Sequence, residues 1–174
     1  WDIQTGYMEQ LTADRYAQLH PSWSPDGRTI AFATDRTSET NLDQLVIGPL
    51  RIALLDLDSR EQTLVAGQEG GLAINPQWSP DGQTIAYLST REGLFDAYLH
   101  ELDTGSTLRL TRAMTGVMGE GALLTSPGMS WARNAERIAF SYFEEAGFNI
   151  YTLDHPRQVA QPAGPPGEPA TAAS

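Results

Sequence analysis

The sequence predicts an all-β fold, namely a partial β-propeller of about three four-stranded antiparallel blades that is incomplete at both ends. Three observations support this prediction: one motif recurs along the chain, short strand-like runs follow each copy, and turn residues separate the runs. Four short strands joined by hairpins are what one blade requires. The length of 174 residues would ordinarily suggest one domain, but the repeats divide it into similar units.

The recurring motif reads Pro-x-Trp-Ser-Pro-Asp-Gly-x-Thr-Ile-Ala-aromatic. It occupies residues 21–32 and returns at residues 76–87, and a third copy at 127–140 has lost the Pro-Asp-Gly triplet. The copies begin 55 residues apart (21 to 76) and 51 residues apart (76 to 127). Such spacings are typical of propellers and solenoids. In the third copy we expect a turn two residues longer, with Asn134 in the left-handed conformation.

The turn inside the motif predicts a tight hairpin. Proline stands at its second position, where a φ of about −65° is needed, and glycine at its last, where positive φ is tolerated. Trp23 should therefore end one strand, and residues 29–34 should form the next, with apolar side chains on both faces. We expect the aspartate to cap its own backbone amides and the tryptophan to pack between blades. The structural residues of the two intact copies are Trp23, Pro25, Asp26, Gly27, Trp78, Pro80, Asp81 and Gly82.

Strand-like runs and composition divide the chain into five parts. They are 1–12, the end of a preceding blade; 13–66, a blade with a long loop at 35–49; 67–111, a second blade; 112–154, a blade lacking its outer strand; and 155–174, a disordered tail or linker rich in Pro, Ala and Gly. The alternating run 8–12 predicts a strand with one buried face. The connection 112–126 is expected to hold a short helix or a mobile loop. Because the chain begins with Trp1 in the middle of a repeat, we expect a processed product or a piece of a longer protein.

The composition excludes several classes of function. With 11 basic and 22 acidic residues the net charge is −11, so nucleic acid and anionic membrane surfaces are poor partners. The absence of cysteine excludes a disulfide, a thiol nucleophile and a thiolate metal site. The sequence contains no run of about 18 apolar residues and no signal-peptide pattern, so we expect no direct membrane insertion by this segment.

The sequence offers no catalytic, cofactor or metal site. Residues 128–132 lack the second glycine of a Gly-x-Ser-x-Gly nucleophile elbow. His20, His100 and His155 stand apart, without a metal-binding spacing. The glycine-rich stretch 68–71 lacks the lysine of a phosphate-binding loop. We therefore predict a protein that is not an enzyme.

The motif, followed by an aromatic strand, an Asp-x-Thr-Gly turn and a Leu-Thr pair, resembles the WD-like propeller repeat of TolB-type proteins. The resemblance covers residues 1–154 and is most specific in the two intact copies. Similar repeats occur in the tricorn protease and in the propeller domain of prolyl-oligopeptidase-like enzymes. Residues 47–56 and 110–116 also look like propellers of bacterial envelope proteins, some of which carry a BamA/TamA-type domain further along the chain.

The resemblance implies a non-catalytic module that binds a protein or peptide in the periplasm or cell envelope. The alternatives are the accessory propeller of a serine peptidase and a purely structural spacer. Further blades of the same chain, or self-association, are the expected partners of the open blade edges.

The expected binding surface is the rim of the blades opposite the Pro-Asp-Gly turns. Loops of irregular length collect there, and loops on a rigid scaffold commonly carry binding residues. The predicted binding residues are His20, Asp35, Arg36, Asn75, Arg91 and Glu92.

Overall fold

The computed structural model describes residues 6–112 and 128–164. These residues form three antiparallel sheets in chain order, which confirms the prediction of an all-β partial propeller. All but the first residue of the predicted 112–126 connection lies outside the described ranges.

Each sheet is one blade. Blade 1 contains β1 (Gln18–Trp23), β2 (Thr29–Thr34), β3 (Arg51–Asp56) and β4 (Gln62–Leu64). Blade 2 contains β5 (Ala73–Trp78), β6 (Thr84–Ser89), β7 (Asp96–Glu101) and β8 (Thr107–Arg109). Blade 3 contains β9 (Met129–Trp131), β10 (Arg137–Glu144) and β11 (Gly147–Asp154). A short helix, α1 (Pro156–Val159), and a two-residue strand, β12 (Gln161–Pro162), follow.

One hydrophobic core runs through the three blades. Alternate residues of β2 and β6 point to opposite faces, and both faces are buried, as the apolar runs predict. At the centre of blade 2, the buried rings of Tyr87 and Tyr98 stack with their centroids 5.9 Å apart. A smaller cluster of Ile30, Phe32 and neighbours covers the other face of blade 1. The larger core is therefore shared by the three blades, and the smaller cluster belongs to blade 1.

Side chains of the inner strands link consecutive blades. The indole Nε1 of Trp78 donates to the carbonyl of Ser22 on blade 1 at 3.1 Å, so Trp78 packs between blades as predicted. The amide of Asn75 donates to the carbonyl of Met129 on blade 3 at 3.1 Å. The same prediction is wrong for Trp23, the equivalent residue on blade 1, which is 58% exposed because no blade precedes blade 1 among the described residues.

The Pro-Asp-Gly turns have the predicted capping geometry. Asp81 accepts hydrogen bonds from Ser79 Oγ at 2.6 Å and from the amide of Gln83 at 3.1 Å. Asp26 is held in the same way by Ser24 Oγ at 2.6 Å. The closing glycines, such as Gly27 with a φ of +72°, adopt the left-handed conformation that glycine tolerates.

The prediction for the third turn is wrong. Trp131 pairs with Ile138 as Trp23 pairs with Ile30, so the turn has the same length as the intact ones. Positive φ does not occur at Asn134. The two extra residues of the third copy precede Trp131, and they leave the hairpin unchanged.

The free energy of unfolding at acidic pH is expected to depend on the ionisation of Asp81. Partial burial alone would raise its pKa, but hydrogen bonds from Ser79, Gln83 and Arg157 outweigh burial and lower the pKa from 3.8 to about 2. The stabilisation is therefore fully present above the unfolded-state pKa and is lost as the pH falls through the folded-state value. We expect wild type to be more stable than Asp81→Asn at neutral pH, with the gap shrinking between about pH 4 and pH 2.

Urea denaturation of both proteins across this pH range tests the expectation. Asp26→Asn is the matched control, because Asp26 has the serine and backbone bonds but no bond to Arg157. Hydrogen bonds from Ser24 and the Arg28 amide also lower the pKa of Asp26. If the difference in stability between wild type and Asp81→Asn widened on acidification, the stabilising role of the Asp81 carboxylate would be contradicted.

The two ends of the described chain differ from the sequence predictions. Residues 8–12 form no strand; instead, Leu11 packs on the outward face of blade 1. The predicted disordered tail is ordered over its first ten residues, because β12 pairs with β8 and adds a fifth strand to blade 2. Burial of small side chains, rather than apolar periodicity, explains this order: Ala160 and Ala163 pack against the main core.

Candidate functional site

The blades present two rims of different character. The Pro-Asp-Gly turns and the turns after β3 and β7 lie together on one rim, which we call the turn rim. Backbone bonds from Leu57 to Arg28 and from Leu102 to Gln83, each 3.0 Å long, tie these turns together. The loops 35–50 and 90–95 lie at the opposite strand ends, on what we call the loop rim. The six predicted binding residues belong to the loop rim or to the inner strands.

Three of the predicted residues are tied to special backbone features, one by a hydrogen bond and two by bulges. Asp35 is buried, and its carboxylate accepts a hydrogen bond from the amide of Ala17 at 2.8 Å. Asn75 is buried at a bulge of β5, where its φ is +55°. His20 occupies the equivalent bulge of β1, with a φ of +54°, and is half-buried. Asparagine and histidine are among the residues that adopt this conformation most readily.

Arg91 and Glu92 belong to a buried polar network of blade 2. Glu92 forms an ion pair with Arg109, which also pairs with Asp96, and all three side chains are at most 7% exposed. The hydroxyl of Tyr98 donates to Glu92 at 3.3 Å, and the guanidinium of Arg91 lies 5.9 Å from the centre of the Tyr98 ring. Burial first, and then the Glu92 carboxylate, raise the pKa of Tyr98. This network can hold the loop 90–95 rigid.

Arg36 is the predicted residue whose side chain faces solvent. Its guanidinium forms a 3.6 Å ion pair with Asp14 and lies 6.0 Å from the centre of the Tyr16 ring. The structure therefore spreads the six residues between two bulges, one buried backbone contact, a buried network and one exposed position. It does not gather them into a single pocket.

The loop rim carries an apolar tip that the sequence prediction did not include. Leu45, Val46 and Ile47 stand at the end of the long loop of blade 1, with Leu45 88% and Ile47 72% exposed. We call Leu45–Ile47 the apolar tip. The signal in the sequence is three consecutive apolar residues within a polar insertion.

The loop that presents the apolar tip is tightly built. A single 3-10 turn (Leu42–Gln44) precedes it, and the side chain of Asn41 accepts a bond from the amide of Gln44 at 3.1 Å. The backbones of Asn41 and Val46 exchange two hydrogen bonds of 2.8 and 2.9 Å. At Gly48, a Cβ would lie only 2.8 Å from the Thr37 hydroxyl, so the loop closes with no room for a side chain. These bonds fix the apolar tip outward.

The chemistry of the loop rim is that of a contact surface. Exposed leucine, valine and isoleucine side chains on a rigid support provide apolar area that a partner can bury. Leu94, 49% exposed, adds a further apolar side chain to the same rim. Across residues 6–112 and 128–164, no three His, Asp or Glu side chains converge where a metal ion could bind. The same ranges contain no helix with the length and hydropathy needed to cross a membrane.

Curated relatives of the chain are TolB proteins. A TolB homologue from Chlorobium luteolum is 30% identical over 149 residues, which cover 86% of this chain and 29% of that protein. The Tol-Pal system protein TolB of Xanthomonas oryzae pv. oryzae is 36% identical over 75 residues, which cover 41% of this chain and 16% of that protein. The chain thus spans less than a third of the length of these relatives. No protein-family model matches it.

Solved structures show the same fold. TolB from Acinetobacter baumannii matches with a TM-score of 0.66 at 20% identity, covering 96% of this chain and 38% of that one. The acylaminoacyl peptidase of Pyrococcus horikoshii matches with a TM-score of 0.51 at 16% identity, covering 74% of this chain and 18% of that one. At these identities the likeness extends to the fold alone. The repeated motif, the blades and the curated relatives of the chain agree, and the chain is a TolB-like partial β-propeller.

Proposed function

We propose that this chain is a non-catalytic module that binds another protein in the bacterial cell envelope, and that the apolar tip forms the centre of the contact. The exposure of Leu45 and Ile47 on a closed, hydrogen-bonded loop is the observation that carries the proposal. A monomeric surface seldom holds such side chains together without a binding role. Because the loop is already fixed, a partner loses little affinity to ordering it.

The kind of partner follows from the relatives and from the charge of the chain. Several curated relatives are named as proteins of the Tol-Pal system, so a periplasmic location and a Tol-Pal component as partner are the proposals with most support. The net charge of −11 favours a partner whose binding face is basic around an apolar centre. The curated relatives favour a binding module over the accessory propeller of a peptidase. The peptidase alternative is supported only by a likeness of fold.

Replacing the apolar tip should weaken partner binding without unfolding the chain. In the double variant Leu45→Ser/Ile47→Ser, we expect the affinity for a Tol-Pal component to fall by about ten-fold or more, as for the central residues of an interface. The measurement is biolayer interferometry with the immobilised chain and purified Tol-Pal components in solution.

The matched control is Leu64→Ser, which changes a 44% exposed leucine on the outermost strand of blade 1. We expect this variant to bind as wild type does. If the double variant bound the partner as tightly as wild type does, the apolar tip would not be part of the interface. Failure of every Tol-Pal component to bind wild type would contradict the proposed partner class.

A further inference from the structure

The outer edge of blade 2 is occupied by the chain's own C-terminal segment, residues 156–164. Within it, β12 runs antiparallel to β8, with Gln161 opposite Arg109 and Pro162 opposite Leu108. The amide of Ala163 donates to the carbonyl of Thr107 at 3.2 Å. A sheet edge offers unpaired backbone groups to any extended chain, and here they are used by a segment with little apolar character.

Arg91 closes the end of this edge. Its guanidinium donates to the carbonyl of Gly67 at 3.0 Å and to the carbonyl of Gly164 at 3.0 Å. The residue is 6% exposed, so one buried cationic group joins the scaffold to the backbone of the bound segment. A charged donor that binds a backbone carbonyl recognises an extended chain at a fixed point, whatever its side chain there.

The proline of the segment fits the ladder because of its position. Successive residues of a strand point their amides to opposite sides, and the Ala163 amide points toward β8. The missing N–H of Pro162 therefore falls on the outward side, where it breaks no bond with β8. Ala163 in turn packs partly buried against the main core. The edge thus accepts an extended x-Pro-small sequence followed by a carbonyl for Arg91.

The segment is anchored mainly outside this edge. Arg157 binds Asp81 at 2.7 Å and Glu136 at 2.7 Å, joining the turns of blades 2 and 3. His155, just before α1, has a φ of +50°, a conformation that costs some energy for any non-glycine residue, although histidine adopts it more readily than most. A short two-residue ladder, reached through a strained residue and held by partly exposed ion pairs, is a weakly held contact.

We propose that the outer edge of blade 2, formed by β8 and Arg91, is a peptide-binding site for extended x-Pro-small segments, and that residues 156–164 occupy it in the unbound chain. A peptide of another molecule that carries this pattern displaces the segment and adds as the fifth strand. The site lies on a different blade from the apolar tip and does not depend on it.

A synthetic fluorescein-labelled peptide with the sequence of residues 154–164 tests the site by fluorescence anisotropy against the full chain. Arg157→Ala weakens the chain's own segment and leaves β8 and Arg91 intact. We expect it to bind the peptide about three- to ten-fold more tightly than wild type, since more of the site is free. The matched control is Arg60→Ala, which removes an arginine ion pair on blade 1 and should bind as wild type does.

One change in the site and one change in the peptide should each weaken the binding. Arg91→Met, made in the Arg157→Ala background, removes the donor to the peptide carbonyl. A peptide with Ala163→Asp, which places a charge against the core, should bind at least about ten-fold more weakly than the unchanged peptide. This peptide tests the site even if Arg91→Met fails to fold. Equal binding of the Ala163→Asp peptide, or no gain in Arg157→Ala, would overturn the proposal.

Discussion

Replacing Arg109 with leucine is expected to lower the free energy of unfolding by about 3–5 kcal/mol, because the change leaves two buried carboxylates without their counter-charge. Glu92 and Asp96 both pair with Arg109, and neither side chain is more than 6% exposed. Asp96 keeps the hydroxyl of Thr111 at 2.7 Å and Glu92 keeps that of Tyr98 at 3.3 Å, but both carboxylates lose their ion pair. Urea denaturation followed by far-ultraviolet circular dichroism measures the loss.

The matched control for this prediction is Arg137→Leu. Arg137 also pairs with a carboxylate, that of Asp154, but both side chains are 55% exposed. Water screens such a pair and solvates the aspartate that remains, so we expect little change in stability. Similar losses for the two variants would show that the network of blade 2 is not desolvated as the structure describes.

Leu99→Ala is expected to cost about 2–5 kcal/mol of unfolding free energy. Leu99 is fully buried in β7, opposite Ala86, in the core shared by the blades. Removal of the side chain leaves a cavity that β-sheet packing cannot easily close. The same denaturation experiment gives the value.

Leu64→Ala is the control, since it truncates a leucine that is 44% exposed at the outer edge of blade 1. A surface truncation of this kind is expected to change stability by about 0.5 kcal/mol or less. If Leu99→Ala lowered the free energy of unfolding as little as the control does, the description of a core shared by the blades would be wrong.

The repeated motif was sufficient to predict most of the strands. Alternating apolar residues and the Pro-Asp-Gly turns depend on local sequence, and the predicted strand 29–34 and turn 24–27 agree with the structure. The third turn differs from the prediction because the two extra residues of this copy come between Pro127 and Trp131 and not inside the hairpin. Its hairpin keeps the length of the others, with Ala132 bonded to the carbonyl of Arg137 at 2.9 Å.

The candidate binding surface is harder to predict, because the burial of a polar residue depends on distant contacts. Arg91 and Glu92 look like exposed loop residues in the sequence, yet Arg109, 17 residues beyond Glu92, pairs with it in the interior. The partner of Arg91 at Gly164 lies 73 residues away. No local pattern reports such pairs. The apolar tip, in contrast, is visible as a run of apolar residues in a polar loop.

The ordered tail illustrates the same limit. Residues 156–164 have the composition of a linker, and local propensity predicts disorder. Their order comes from the edge strand β8, which needs a partner, from the packing of Ala160 and Ala163 on the main core, and from Arg157, which reaches Asp81, 76 residues earlier. All three causes belong to the tertiary fold.

Site-specific photocross-linking in intact Gram-negative cells tests the central claim, binding of an envelope protein through the apolar tip, most directly. A benzophenone amino acid replaces Leu45 in one protein and Leu64 in another, and the cells are irradiated before the envelope fraction is resolved by mass. We predict a discrete protein adduct from position 45 and none from position 64. Adducts from both positions alike, or from neither, would contradict the account.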